Sequence, residues 1–389
     1  LRSLEMRWER IRRREPRLSV NELFAFSLEC AEAGVWPERI EAALSIAEEM
    51  QDRDPQSRTY GNFRWYLEAE RVKDLNAVEF SMRDASLLWM RHKDWLTPVA
   101  RERLKRLISF GIEGILRHRV SVGYTNIYLM KAWNLIALGE NFDRPDLAER
   151  GYGMLDSWLL YTWENGIREY LSPTYYGVDL DSLVLIARFS KNGKARRAAE
   201  AALRLFWRDI AANWFEPCKR LGGAHSRDYD YLTGRGALDH HLRFADWLPA
   251  PWGYIPSRYL ALAGWRPPEE LRRWAVEAVP RFVRQRWGSN EGEWAAHWVG
   301  RSVSLGTAGR CYGPMDKFLT VQLGGGRDMP MCYLTVDGRD DPYGKRKELT
   351  GGDHLKAFHL EPFVGQVPDR SARRRTGYAD VLPDRGRTG

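Results

Sequence analysis

Cysteine is scarce in this chain: four residues in 389, at Cys30, Cys218, Cys311 and Cys332. They are far apart and form no CxxC pair, which excludes a finger-type zinc site and a disulfide-stapled scaffold and leaves Cys311–Cys332 as the one bridge to test. Long apolar runs are lacking too. None reaches the ~18 residues that a membrane-spanning helix requires, so no membrane partner is expected. Several enzyme signatures are also missing. No GxGxxG or GKS/T accompanies Gly324-Gly325-Gly326, no GxSxG marks a serine nucleophile, and no HExxH marks a zinc peptidase. Asp239-His240-His241 is the nearest approach to a metal pair, but adjacent helical positions point ~100° apart and rarely share an ion. No metal and no cofactor is expected. No fixed-period repeat runs along the chain, which argues against a solenoid. The chain opens on Leu1 rather than on a methionine, the mark of a fragment or processed form, so a leader is not expected to be visible in it.

What the sequence does hold is charge and aromatic surface. Sixty basic residues against 52 acidic ones give a net charge of +8, which favours an anionic partner. The acidic residues are interspersed among the basic ones and no nucleic-acid-binding motif appears, so an acidic glycan is expected rather than DNA or RNA. The basic runs Arg7 to Arg17 and Arg370 to Arg375 read as a solvated helix or disordered ends. Trp and Tyr each number 17. Flat aromatic faces are platforms for sugar rings, and they also fill helix–helix cores.

From about residue 20 to 287 the apolar spacing is helical almost throughout. Helices are expected near 22–33, 38–51, 75–92, 98–118, 125–139, 145–162, 179–190, 194–212, 238–247, 256–263 and 268–287, joined by short connections rich in Gly or Pro. Consecutive antiparallel helices with no strands between them fit a mainly α fold, an α/α toroid over residues 1–300. A toroid collects its inter-helix loops around one cleft, which suits the aromatic loops Tyr60 to Tyr66 and Tyr170 to Tyr176. From about 301 to 366 short β-prone runs alternate with Gly and Asp clusters, as in a short antiparallel β region, a small sheet or a truncated sandwich. Residues 367–389 have little to bury and are expected to be disordered.

Four stretches carry residues that core packing does not explain. Asn126 enters an apolar helix, either as a cap or as a neutral amide able to stabilise charge on a carboxylate. Glu169, Tyr170, Tyr175 and Tyr176 lie in a connection longer than two helices need. Arg64 and Trp65 in the earlier aromatic loop are candidate substrate contacts. Residues 222–234 set His225, Arg227, Asp228, Tyr229, Asp230 and Tyr231 between glycines. His225 has the side chain whose ordinary titration falls nearest neutrality. Arg227 suits a carboxylate held by two parallel hydrogen bonds. Tyr229 and Tyr231 offer phenols. Of the two, Tyr231 is the expected proton-transfer group and Tyr229 the lesser contact.

The long helical region followed by β structure, the Asn126 helix entry and the later His225/Tyr231 loop resemble polysaccharide lyases of the α/α-toroid type, the group that includes alginate, heparinase II/III-like, chondroitin AC-like and glucuronan lyases. The resemblance covers roughly residues 60 to 360 in layout. It implies β-elimination from a uronic-acid-containing polysaccharide. Asn126 would neutralise the carboxylate, His225 and Tyr231 would serve as base and acid, and Arg227, Tyr175, Tyr176, Glu169, Tyr229, Trp65 and Arg64 would bind or assist. The chain departs from the pattern at two points: Asn126 is not followed by His, and the β region is short. A periplasmic or secreted location is expected for such an enzyme. The competing expectations are an α/α-toroid glycoside hydrolase acting on uronides through paired carboxylates, drawn from Glu169, Asp179, Asp181, Asp228 and Asp230, or a noncatalytic glycan-binding helical protein.

Overall fold

A computed structural model describes residues 1–229, 236–313, 315–326, 332–335, 355–360, 363–368 and 378–380. The helices are α1 (Arg2–Arg12), α2 (Val20–Glu32), α3 (Pro37–Met50), α4 (Ala77–His92), α5 (Pro98–Arg117), α6 (Thr125–Asn141), α7 (Pro145–Asn165), α8 (Tyr175–Phe189), α9 (Gly193–Asn213), α10 (Leu238–Phe244), α11 (Arg258–Ala263) and α12 (Glu269–Glu277). The strands are β1 (Trp214–Phe215), β2 (Arg220–Leu221), β3 (Arg281–Arg286), β4 (Trp294–Val299), β5 (Val303–Ala308), β6 (Leu319–Leu323), β7 (Cys332–Thr335), β8 (Leu355–Leu360), β9 (Phe363–Pro368) and β10 (Tyr378–Asp380). The described chain is thus mainly helical with a smaller antiparallel β part. No described helix is long and apolar enough to cross a membrane.

Two compact units share these elements. The first comprises Leu1–Ser121, Ile127–Leu155 and Phe189–Ala195; the second comprises Val122–Asn126, Asp156–Arg188 and Arg196–Gly389. This division follows neither the expected break at 301 nor the change from helix to sheet.

In the first unit the helices start where local chemistry dictates. Ser19 accepts from the Glu22 amide at 3.2 Å and Thr97 from the Ala100 amide at 3.1 Å, and Pro37 and Pro98 occupy first-turn positions where no amide donor is missed. Phe24, Phe26, Leu44, Phe63, Leu104, Leu107 and Trp133 form its apolar interior. At the end of α5, Lys131 donates to the Ile115 carbonyl at 2.6 Å and to that of His118, satisfying carbonyls that the helix itself leaves open. Burial pushes its ammonium down to about 8. The basic run from Arg7 is the end of α1, anchored by the Arg7–Glu29 pair at 2.6 Å.

The second unit spends its aromatic surplus on packing. Trp158 stacks on Phe206 with centroids 5.8 Å apart, Trp207 and Trp214 flank Trp247, and Tyr170 stacks on Trp287. Trp158, Trp207, Trp214 and Trp287 are fully buried, so the tryptophan count reflects core volume more than sugar platforms. Its principal sheet is antiparallel in the order β10-β7-β6-β5-β4-β3.

Three expectations are corrected here. The helix expected over 268–287 stops at Glu277, and Arg281–Arg286 instead forms an edge strand whose side chains alternate between partly buried and exposed. Pro280 cannot continue a helix and disfavours a helical conformation at the residue before it, and the following residues have period two rather than 3.6. All four cysteines are free, so Cys311 and Cys332 are not bridged. Of the tail expected to be disordered, Tyr378–Asp380 pair with β7 through backbone hydrogen bonds, which ask nothing of side-chain hydrophobicity; the remainder beyond Pro368 lies outside the described residues.

Candidate active site

The site is assembled within the second unit from three loops. The first leads into α6 and carries Tyr124, with Asn126 following in the first turn of that helix. The second, between α7 and α8, begins at Gly166, whose φ of +77° and approach to the Arg286 carbonyl exclude a side chain: a Cβ there would lie 1.8 Å from that oxygen. It ends in Ser172-Pro173-Thr174-Tyr175, where the Ser172 hydroxyl accepts from the Tyr175 amide at 3.1 Å. A serine cap followed by a first-turn proline fixes the start of α8 and with it the position of Tyr175.

The third loop runs from Gly222 to Tyr229 and is held on both sides. The amide of Gly222 donates to Asn213, that of Ser226 to Tyr170 and that of Asp228 to Met315, and His225 exchanges two backbone hydrogen bonds with Lys317. Its glycine pair makes room for a side chain. A Cβ on Gly222 would lie 2.7 Å from His297 Cε1, and one on Gly306 would lie 2.3 Å from the Cα of Gly223. We therefore expect Gly306→Ala to destabilise the protein by about 1–3 kcal/mol through backbone displacement, measured by denaturant unfolding; unchanged stability would show that the loop yields freely.

Arg227 is the centre of the cluster. Its φ is +45°, an uncommon conformation for a residue with a side chain, and the Asp316 carboxylate accepts its amide at 3.0 Å. Nη1 donates to Glu169 at 2.5 Å, while Nη2 donates to the hydroxyls of Tyr175 at 2.8 Å and Tyr229 at 3.2 Å. The guanidinium also lies over the Tyr175 ring, 3.9 Å from its centroid, and within 5.4 Å of that of Tyr124. Glu169, fully buried, accepts in addition from the Asn126 backbone amide at 2.8 Å and from Asn126 Nδ2 at 2.8–2.9 Å. One buried carboxylate is thus met by a cation, a backbone N–H and a side-chain amide, the complement that a buried charge requires. Asp316 is braced likewise by the amide of Tyr312 at 2.5 Å and the hydroxyl of Tyr170 at 3.2 Å.

The titration of these groups follows from burial first and neighbours second. Desolvation drives the Tyr175 phenol well above its ordinary range; Arg227 opposes this, while Tyr229 and Glu169 add to it. Tyr312 is raised for the same leading reason. Burial by itself would lower Arg227, but Glu169 and the surrounding phenols outweigh it and its pKa rises. Burial lifts the Asp316 carboxyl to about 6 against the pull of the Arg227 and Tyr312 amides. Asp179, one helical turn beyond Tyr175, is fully buried, and neither carboxyl oxygen has a hydrogen-bond partner among the described residues. Burial and then Glu169 raise its pKa well above the carboxylate range, with Arg227 acting in the other direction.

Asn126, Glu169, Tyr175, Arg227 and Tyr229 therefore meet, while Tyr176, Arg64 and Trp65 are engaged in other contacts. Tyr229, expected to be the lesser contact, belongs to the cluster, its hydroxyl accepting from Arg227. Tyr231 lies outside the described residues. His225, two residues before Arg227 in the same loop, is buried with Nδ1 3.1 Å from Asp228, and its backbone forms a β-bridge with Lys317. Tyr176, one residue along α8 from Tyr175 and so ~100° around the helix, is fully buried, donates to Asp209 at 2.6 Å and packs on Phe206; it is a core residue, not a substrate contact. Arg64 donates to the backbone of Ala69 at 2.5 Å and Glu49 at 2.9 Å, and Trp65 to Asp74 at 2.8 Å. Both hold their own loop in the first unit. Asn126 commits its amide nitrogen to Glu169 rather than offering it to a substrate. Asp316 and Tyr312 were not foreseen, and the lone Asp at 316 carries no motif that could have flagged it.

His297, beneath the glycine pair, is a buried histidine with both ring nitrogens engaged: Nδ1 with Asn213 Oδ1 at 2.9 Å and Nε2 with the Ser304 hydroxyl at 2.6 Å. Desolvation, reinforced by Arg281 and His225, depresses it to about 3. An ordinary histidine in the unfolded chain titrates near ~6.5, so below that pH the unfolded state binds the extra proton and stability falls as the pH drops from there toward 3. Asp209 and Asp316, both lifted to about 6 by burial, act in the opposite sense between the carboxylate range and pH 6. The contribution of His297 is isolated by comparing the wild type with His297→Gln across pH 7 to 4. We expect the wild type to lose thermal stability more steeply on acidification, and parallel curves would contradict this.

Among known sequences, a family model described as a domain of unknown function, DUF8769, matches residues 110–237. The matched stretch includes Asn126, Glu169, Tyr175, Asp179, Arg227 and Tyr229 and ends before Asp316. No curated protein and no solved structure matches the chain.

Proposed function

We propose that the chain is a polysaccharide lyase of the α/α-toroid type, acting by β-elimination on a uronic-acid-containing polymer outside the cytoplasm, in the periplasm or as a secreted protein. The observation that carries this reading is the Arg227 fork, which holds Glu169 on one nitrogen and the phenols of Tyr175 and Tyr229 on the other. Elimination from a uronate needs a positive or hydrogen-bonding group at the carboxylate, to stabilise the enediolate-like charge formed when the C5 proton leaves, and a proton for the departing C4 oxygen. Arg227 supplies the first. Tyr175, whose phenol keeps its proton across the neutral range, supplies the second. Tyr231, two residues beyond Tyr229, is the proposed base. Asn126 holds Glu169 in place, and the net positive charge favours a polyanion.

Incubation with alginate, glucuronan, hyaluronan, chondroitin and heparan, followed by mass spectrometry, tests the reading. Elimination gives fragments with an unsaturated non-reducing end, lighter by one water than hydrolytic fragments. Saturated fragments from any of these polymers would support a second reading, an α/α-toroid hydrolase. That reading is favoured by one feature: the carboxyls of Glu169 and Asp179 interact but sit in opposed surroundings, one ion-paired and the other unpartnered.

A further inference from the structure

Asp179 lies close enough to the cluster for Glu169 and Arg227 to act on it electrostatically, and it belongs to the face of α8 that carries Tyr175. Its carboxyl oxygens have no donor among the described residues, unlike those of Glu169, which take three donor groups. Two further buried oxygens nearby in sequence to the Glu169 clamp, Asn126 Oδ1 and Thr125 Oγ1, also have no partner among the described residues. A folded core does not leave such atoms unsatisfied without reason.

We propose that Asp179 is a neutral carboxylic acid that donates a hydrogen bond to the carboxylate of a bound uronate, so that the sugar's acidic group is held between Asp179 and Arg227. This rests on the lyase reading and adds a residue that the reading did not assign. The charge balance supports it. The single positive charge of Arg227 is already matched by Glu169, so an ionised Asp179 would repel an incoming carboxylate and compete for the guanidinium. A protonated one adds a donor without adding charge and strengthens as negative charge grows on the substrate. The charged and titratable groups acting on it are Glu169, Arg227 and Asp181, and no lysine or second arginine stands among them to stabilise the ionised form. The acid donates without transferring its proton, which separates this role from that of a general acid in hydrolysis.

Two variants and two measurements decide the matter. Asp179→Asn keeps a neutral donor of similar shape and Asp179→Leu removes it. On the polymer that the wild type cleaves best, Asp179→Asn should lose about tenfold in kcat/KM and Asp179→Leu about 10²–10³-fold, the loss typical of removing one such donor. Equal loss in both variants would make Asp179 a proton donor or a purely structural group, and an undiminished Asp179→Leu would remove it from the site; either result overturns the proposal. Thermal unfolding gives a reading that does not depend on activity. Because Asp179 in the fold holds a proton that the unfolded chain gives up near ~4, wild-type stability should fall relative to Asp179→Asn as the pH rises from 4 to 8. A constant difference would overturn the proposal. If the wild type cleaves none of the polymers, calorimetric titration with glucuronate and mannuronate oligosaccharides separates the two ideas. Binding weakened in Asp179→Leu and kept in Asp179→Asn would sustain the carboxylate contact while the lyase reading falls. Absence of binding by the wild type would overturn both.

Discussion

Arg227→Ala is expected to abolish polymer cleavage and to lower the free energy of unfolding by about 3–5 kcal/mol, the usual consequence of removing one partner from a buried ion pair. Glu169 has no exposed side-chain surface and Arg227 retains only 16% of its own, so water cannot replace the guanidinium. Asn126 would still donate from its backbone and side-chain amides, but both groups are uncharged. The same substitution releases the hydroxyls of Tyr175 and Tyr229 from Nη2, so the catalytic loss is larger than the stability loss alone would give. Arg227→Lys is the informative companion. A lysine restores charge opposite Glu169 but has no planar fork with which to reach the phenols at the same time. It should recover most of the stability and little of the activity. Urea unfolding and initial cleavage rates on the same preparations measure the two effects. An Arg227→Ala protein as stable as the wild type would mean that the Glu169 carboxylate is not charged in the fold.

Tyr175→Phe should separate chemistry from folding more cleanly. The ring, its edge contact with Tyr229 at 5.9 Å and its face under the guanidinium all remain; only the hydroxyl disappears. Nη2 of Arg227 keeps Tyr229 as an acceptor. The expected result is a loss of about 10²–10⁴-fold in kcat, the range that a positioned proton donor supplies, with KM and melting temperature little changed. Since the phenol stays protonated well beyond neutrality, the wild-type rate should show no alkaline loss attributable to Tyr175 near pH 7–8. Steady-state kinetics of the two proteins on one uronate polymer checks this, and a Phe variant within threefold of the wild type would remove Tyr175 from the proton path.

Much of this cluster was legible in the sequence because its residues break the pattern around them. Asn126, Glu169, Tyr175, Arg227 and Tyr229 stand at helix entries or in loops, where neither helical nor strand periodicity gives them a core role, and a glycine or proline beside them marks the turn. What was not legible depended on single backbone conformations or on distant pairings. The left-handed φ of Arg227, at the centre of the cluster, is nothing that its residue type announces. Tyr176 looks like its neighbour on paper and is separated from it only by rotation about α8 and by Asp209, 33 residues on. Asp316 reaches the site by accepting the amide of Arg227, 89 residues before it, and a backbone contact leaves no trace in side-chain pattern. The helix–sheet boundary was misplaced because Arg281–Arg286 follows a helix without a glycine; the proline at 280 was the signal. The glycine pair at 222–223 is explained by His297 and Gly306, which need the space.

The central claim is that this site removes a proton beside a carboxylate held by Arg227. The most direct measurement is the ultraviolet absorbance of the new C4–C5 double bond, followed while the wild type acts on a polyuronate and on the same polymer with its carboxylates reduced to alcohols. Growing absorbance with the acidic polymer and none with the reduced one is the predicted result. Reducing ends released from either polymer without absorbance would contradict it.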